Sequence, residues 1–533
     1  MKDFSLLFEN ARINTLDANH PLARAMLVSQ GNIIALFDDP MPSPSGYGDL
    51  HRIKCENLVM LPAFTDSHVH LMHTGENLET VDVSEAHSEQ EVVAILRKAF
   101  HDKPRGEWLQ GSRWVYNQWT PPDLPSKKSL DQAFPDNPVY LFSKCGHLLW
   151  VNSPALKAAG VTADTPDPPG GAIQKDSVTG EPTGIFKENA DAVYKVIPPF
   201  SDARKKDLLK NAARYFNRFG FVNVHANDSS SVFSLLQDLQ SDPDFSLNVV
   251  IYIPDSLLDS LIQSGLKSGF GDDSLRLGGI KLFLDGSLGG RTAWLYEPYE
   301  NEPDNTGICA MERPILTQTL LRAKSHGISS MTHAIGDRAV NMLLETYAEL
   351  QKDYPPHPDC IFADRIEHFQ MISEKTQSLL KQCRGVASVQ PIHIFGDWAA
   401  ADDHWGKRAR YAYAFQTMVQ AGFPLVFGSD SPVEPINPFW GIYAAVERKD
   451  QDSLPPNGWR PEQKLSLSRA LEAFCVTPPI IVGEGARKGT LSPGKRADFV
   501  LLDQDPFHVS SPEILKDIRI MATASKGTFV YRA

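Results

Sequence analysis

From Phe200 onward, short apolar runs alternate with helical patterns, and run after run carries a histidine, a lysine or an aspartate at or near its end. The runs are FVNVHAND, NVVIYI, GGIKLFLDG, SSMTHAIGD, RIEHF, GVASVQ and PLVFGSD, and Lys206–Phe219, Ile315–His326 and Arg338–Leu350 read as helices among them. In the last of these, Ala339, Met342, Leu343 and Tyr347 fall on one helical face. Strand alternating with helix calls for a parallel sheet, because parallel strands need long crossover connections. Polar residues gathered at the C-terminal ends of successive parallel strands point to a (β/α)8 barrel with its site at that end.

Both ends of the chain read as β. Two apolar runs within Ala25–Phe37 are split by Gln30-Gly31-Asn32, and Ile518–Ala524 and Thr528–Arg532 flank Ser525-Lys526-Gly527, so each pair is a hairpin. Leu58–Phe64 is a buried strand running towards the barrel, and Ala497–Asp503 is a strand after the Pro493-Gly494-Lys495 turn. The predicted class is α/β. A small β-sandwich is built from 1–61 plus 487–533, a barrel spans 62–486, and an insertion covers about 82–200. The insertion is rich in Pro, Trp and Gly and has no steady strand–helix rhythm, so it is expected to cover something. Trp108, Trp114, Trp119 and Trp150 there read either as its packing or as an aromatic substrate pocket.

Composition narrows the partners. The 533 residues hold 52 Lys+Arg against 65 Asp+Glu, a net charge of −13. That argues against nucleic acid and against anionic membrane as partners. A 42% apolar fraction excludes disorder as the main state. The six cysteines form no CxxC pair, no run is long and apolar enough to span a membrane, and Met1-Lys2-Asp3-Phe4-Ser5 carries an acid at once. A reducing, cytoplasmic setting without a secretory leader is the expectation.

Asp66-Ser67-His68-Val69-His70 closes the first buried run, and residues two apart on a strand leave the same face. Two imidazoles on one face suit a divalent metal. Lys281 sits alone in GGIKLFLDG, where an unpaired ammonium is costly. It reads either as a partner of Asp285 or as an amine converted by CO2 to a carbamate that can bridge two metals. His333 in THAIGD and His368 in EHF end further runs, with a core hydrogen bond as the alternative for each. Asp430 in GSDSP is either a helix N-cap before Pro432 or a carboxylate that moves a proton beside a metal. These positions follow one another at the ends of candidate barrel strands, which favours the shared chemical reading.

With LPAFTDSHVHL, GHLLWVNSPALKAAG, PDPPGG, GEPTGIFKE, IKLFLDGSLGGRTAWL, HAIGDRA, RIEHFQ, SVQPIH, FGSDSPV and GTLSPGKRADFVLLD, the motifs spread over nearly the whole chain. On these motifs the sequence resembles the amidohydrolase superfamily, and more closely its YtcJ-like branch, which includes N-substituted formamide deformylase. The resemblance implies a TIM-like metallo-hydrolase barrel with one or two divalent metals, zinc being the expected ion. It implies that His68 and His70 bind one metal and His333 and His368 the other, with Lys281 bridging as a carbamate. Asp430 would ligate the first metal and act as acid and base.

The implied reaction is hydrolysis of an amide-type C–N bond in a small molecule by metal-activated hydroxide. Cyclic amides or esters, or a scaffold that kept the fold without catalysis, are the alternatives. Trp114 and His147 are candidates to help hold the developing oxyanion. Asp285, Arg291 and Asp337 are candidates for substrate contact, and they and Arg365 read either as groups that orient the metal ligands or as barrel-mouth salt bridges. His225 and His393 read as orienting or substrate-contacting groups on one side and core hydrogen bonds on the other. Relatives often carry Asp where this chain has Cys145, before Gly146-His147. A homodimer is the assembly considered.

Overall fold

The computed structural model describes residues 4–39, 49–116, 119–143, 148–168, 171–187, 190–300, 302–353 and 362–533. The chain divides into two compact units. One is Glu76–Arg204, and the other comprises the residues up to Gly75 and from Lys205 onward.

The larger unit contains an eight-stranded, all-parallel sheet. Its strands are β1 (Phe64–Val69), β2 (Phe221–Asn227), β3 (Asn248–Pro254), β4 (Leu275–Phe283), β5 (Ser329–Ala334), β6 (Arg365–His368), β7 (Val386–Val389) and β8 (Leu425–Phe427). They pair in chain order. The circle closes just past β8, where the Asp430 N–H donates to the His68 carbonyl at 2.8 Å and the His70 N–H to the Ser431 carbonyl at 2.9 Å. Helices fill the connections with their apolar faces turned inward. Asp202–Arg218 buries Leu208, Leu209, Ala212, Ala213 and Phe216, and the helix Asp337–Asp353 buries Ala339, Leu343 and Tyr347. In β4 the Gly278-Gly279 pair allows close neighbours. A Cβ at Gly278 would meet the Tyr252 ring at 2.5 Å, and one at Gly279, φ 152°, would meet the Ser329 carbonyl at 2.0 Å.

Strands from both termini form one hydrogen-bonded eight-stranded sheet in the same unit. Val59–Pro62 lies between Phe4–Asn14 and Phe499–Leu502, and the hairpins Leu22–Ser29/Asn32–Phe37 and Ile520–Ser525/Thr528–Arg532 extend the two sides. Phe8, Ile13, Met26, Met60, Phe499 and Ala522 make its core. The run Leu58–Phe64, read from sequence as one strand, is divided. The Ala63 N–H donates to Asp498 of the terminal sheet, and the Phe64 N–H donates to Gly220 beside the barrel. Hydrogen-bond partners change between these two residues, so one apolar run serves two sheets.

The unit Glu76–Arg204 carries a six-stranded mixed sheet of its own. Trp114, Trp119, Trp150, Leu130 and Val139 lie in its core. Cys55, Cys309, Cys383 and Cys475 are free thiols. Among the described residues no helix is long and apolar enough to cross a membrane.

Candidate metal centre

The C-terminal ends of β1, β4, β5, β6 and β8 bring His68, His70, Lys281, His333, His368 and Asp430 to one end of the barrel. On β1, regular alternation turns His68 and His70 the same way. On β6 alternation alone would turn Glu367 and His368 to opposite faces. His368 has φ 68° and Phe369 φ 47°, and this left-handed step breaks the alternation. Glu367 and His368 therefore both reach the cluster. Asp430 also sits in the left-handed region, at φ 60°.

The ligand atoms converge on Asp430. Its Oδ1 is 3.4 Å from His68 Nε2 and 3.3 Å from His70 Nε2, and its Oδ2 is 3.8 Å from His393 Nε2. Among the described residues, two groups have donor atoms close enough together to hold a cation: His68, His70 and Asp430, and His368, His393 and Asp430. The imidazoles of His333 and His368 are 4.4 Å apart, and those of His68 and His368 are 5.0 Å apart.

Neighbouring acceptors fix which nitrogen of each ring carries the proton. His68 Nδ1 pairs with the Glu367 carboxylate, so its Nε2 keeps a lone pair. His368 Nδ1 donates to Gln390 Oε1 at 2.9 Å, and its Nε2 is likewise unprotonated. His333 Nε2 donates to the Gly286 carbonyl at 2.9 Å, which leaves Nδ1 as the donor atom. An outer acceptor that orients each imidazole is the usual design of a metal site. Burial, and next the Lys281 ammonium, push His68 down to about 4 and His333 down to about 3. Burial and the His333 neighbour hold His368 well below the ordinary range. Neutral imidazoles are what a metal requires.

The fit of a metal rests on orphaned atoms. His68 Nε2, His393 Nε2 and Lys281 Nζ are buried and have no hydrogen-bond partner, although a buried polar group normally finds one. A divalent cation in each of the two groups would take up one of these imidazole nitrogens. Burial pushes the Lys281 amine down to about 8. Lys281 does not pair with Asp285. That carboxylate accepts from the backbone N–H groups of Trp294 (2.9 Å), Ile335 (3.0 Å) and Gly336 (2.7 Å), and burial lifts it to about 7.

Beneath the cluster lies a buried ionic network. Arg365 donates from Nε to Glu367 Oε1 at 2.8 Å, from Nη1 to His225 Nδ1 at 2.8 Å and from Nη2 to Ser388 Oγ at 2.7 Å. Burial works against the Glu367 charge, but Arg365 and His68 overcome it and hold the carboxyl down at about 2. Sequence reasoning gave Glu367 and Gln390 no role. The signal available for Glu367 was a carboxylate two residues from an arginine inside an apolar run.

The remaining sequence candidates have structural partners. Trp114 is 1% exposed in the core of Glu76–Arg204, and its indole N–H donates to the Leu141 carbonyl at 3.0 Å. Arg291 pairs with Glu302, and Asp337 accepts from the Tyr296 N–H at 3.0 Å at the start of its helix. His147 and Cys145 lie outside the described residues.

Comparisons with known proteins agree with this architecture. The model of the amidohydrolase family matches residues 53–531. YtcJ of Bacillus subtilis, which bears an amidohydrolase name, is 31% identical over 494 residues, covering 91% of each chain. N-substituted formamide deformylase of Arthrobacter pascens is 24% identical over 564 residues, covering 100% of this chain and 98% of its own. A solved structure of a metal-dependent hydrolase from Pyrococcus horikoshii superposes with a TM-score of 0.78 at 27% identity, covering 95% of this chain and 98% of its own. With a family match over nearly its full length and the barrel-end histidine and aspartate cluster in place, this chain belongs to the amidohydrolase family.

Proposed function

We propose that the protein is a metal-dependent hydrolase of a small molecule, cleaving an amide-type C–N bond other than a peptide bond. The observation that carries the reading is the position of Asp430. One of its oxygens faces the Nε2 atoms of His68 and His70, and the other faces that of His393. His68, His70 and Asp430 would hold one ion, and His333 Nδ1, His368 Nε2 and Lys281 a second. An N/O donor set of this kind suits zinc. A divalent ion there polarises a carbonyl and brings water's pKa close to neutral.

The protein's own residues handle the proton. Asp430 accepts it from the attacking water and returns it to the leaving nitrogen, as a positioned carboxylate does in general acid–base catalysis. Glu367 keeps the His68 proton on Nδ1, so that Nε2 stays available. Lys281 as the neutral amine would add CO2 and lose a proton, and the resulting carbamate would offer anionic oxygens to the ions these residues hold. Its burial without a hydrogen-bond partner supports this role.

Elemental analysis of the purified protein, with assays on formamides, cyclic amides and esters, tests the reading. We expect about one divalent ion or more per chain and turnover on the amides. Well under one ion per chain, with no activity gained on adding zinc or manganese, overturns it. Lys281→Ala should lose metal, with part of the activity returned by acetate or propionate. Full metal retention in that variant refutes the carbamate.

A further inference from the structure

Strand β4 sends a second side chain the way of Lys281. Residues two apart on a strand share a face, so Phe283, the last residue of β4, stands one step nearer the barrel end. Its ring centroid is 4.9 Å from Lys281 Nζ and 5.3 Å from the His333 ring. Leu282 and Leu284 on either side are fully buried, whereas Phe283 is 48% exposed. A large aromatic side chain held half open beside the buried histidines forfeits the burial its size would otherwise gain.

Two arginines that follow in the sequence already have acidic partners. Arg291, in the loop that follows β4, is tied to Glu302. Arg365 is enclosed by Glu367, His225 and Ser388. The Arg365 guanidinium is not left to pair with a carboxylate on a substrate, while the ring offers an apolar face against the cluster.

We propose that Phe283 determines specificity by seating an uncharged apolar group of the substrate, flat or branched, next to the bond that is cleaved. The substrate class is then an amide carrying an aromatic or branched aliphatic substituent. This rests on the metal-dependent hydrolase reading of the same site.

Calorimetric titration of the purified, metal-analysed protein with benzohydroxamate and acetohydroxamate tests it. The two probes share a chelating head and differ in phenyl against methyl. The wild type should bind benzohydroxamate about tenfold more tightly, Phe283→Tyr should keep that ratio, and Phe283→Ala should shrink it to about threefold or less. Should Phe283→Ala fail to fold, Phe283→Leu, which keeps bulk and loses the ring, must narrow the ratio in the same direction. A wild-type ratio near one, or a full ratio retained in the Ala or Leu variant, overturns the proposal. The expected ratios in a protein that hydrolyses no amide would uphold the role of Phe283 and refute the reaction.

Discussion

Asp430 holds a left-handed backbone conformation, φ 60°, that Asp and Asn tolerate better than other side chains with a Cβ. Asp430→Asn therefore fits the same backbone, while removing both the capacity to carry a proton and a negative charge from the candidate ion site. We expect a loss of about 10²- to 10⁴-fold in turnover with the fold intact. A variant keeping more than about a tenth of wild-type rate would assign the proton transfer elsewhere. Glu367→Gln does the opposite kind of damage. It leaves the fully buried Arg365 without its counter-charge, which costs about 3–5 kcal/mol, and it weakens metal binding about 10- to 100-fold through His68. Thermal melts and metal titrations would read both effects, and an unaltered melt would make the pairing incidental. The histidines, Lys281 and Asp430 could be picked out of the sequence because each is a polar residue in or beside an apolar run. Glu367 carries the same local mark, but its role does not show there, since its partner His68 lies 299 residues away and only the closed sheet brings them together.

Among elements, helices were the most legible. The helix Arg313–Ser325 lies within two residues of the expectation, because a repeating apolar stripe needs no tertiary information. Leu58–Phe64 was misread for the converse reason. A continuous apolar run reports burial and not which sheet supplies the partners, so the change between Ala63 and Phe64 had no local mark. The tryptophans of the insertion had two readings in the sequence. Trp114 rests on Trp119 and Trp150 with ring centroids 6.0 Å away in each case. Trp114→Ala should destabilise the unit Glu76–Arg204 by about 3–5 kcal/mol, seen as early proteolytic cleavage within it. Unchanged proteolysis with an altered substrate preference would give the tryptophan a binding role in place of a packing one.

At the scale of the whole molecule, the candidate ligands His68, His70 and Asp430 come from strands at both sides of the barrel seam, so an ion there would tie β1 to the end of β8. An ion that binds only the folded state stabilises it by mass action. Dialysis against a chelator should lower the melting temperature and speed amide exchange at His70 and Asp430, whose N–H groups cross that seam. Equal exchange with and without chelator would mean the seam holds without metal. The barrel was legible because strand–helix alternation leaves few topologies open. The insertion was legible only as a break in that rhythm, since its sheet mixes parallel and antiparallel pairs and so has no repeating strand–helix unit.

The pairing of Val59–Pro62 with Phe499–Leu502 sets a waiting time during synthesis. The strand next to the barrel entrance leaves the ribosome early and has no partner on that side until the final stretch appears. At roughly 5–20 residues per second the delay is on the order of a minute. For that interval an apolar strand edge is open to other nascent chains, so the protein should depend on holding chaperones more than a barrel without such a seam. Ribosome-arrested chains halted before Phe499 should stay protease-sensitive around Val59–Pro62, and release of the full chain should close that site at once. Protection already present in the arrested chain would show that the N-terminal strands settle without their distant partner.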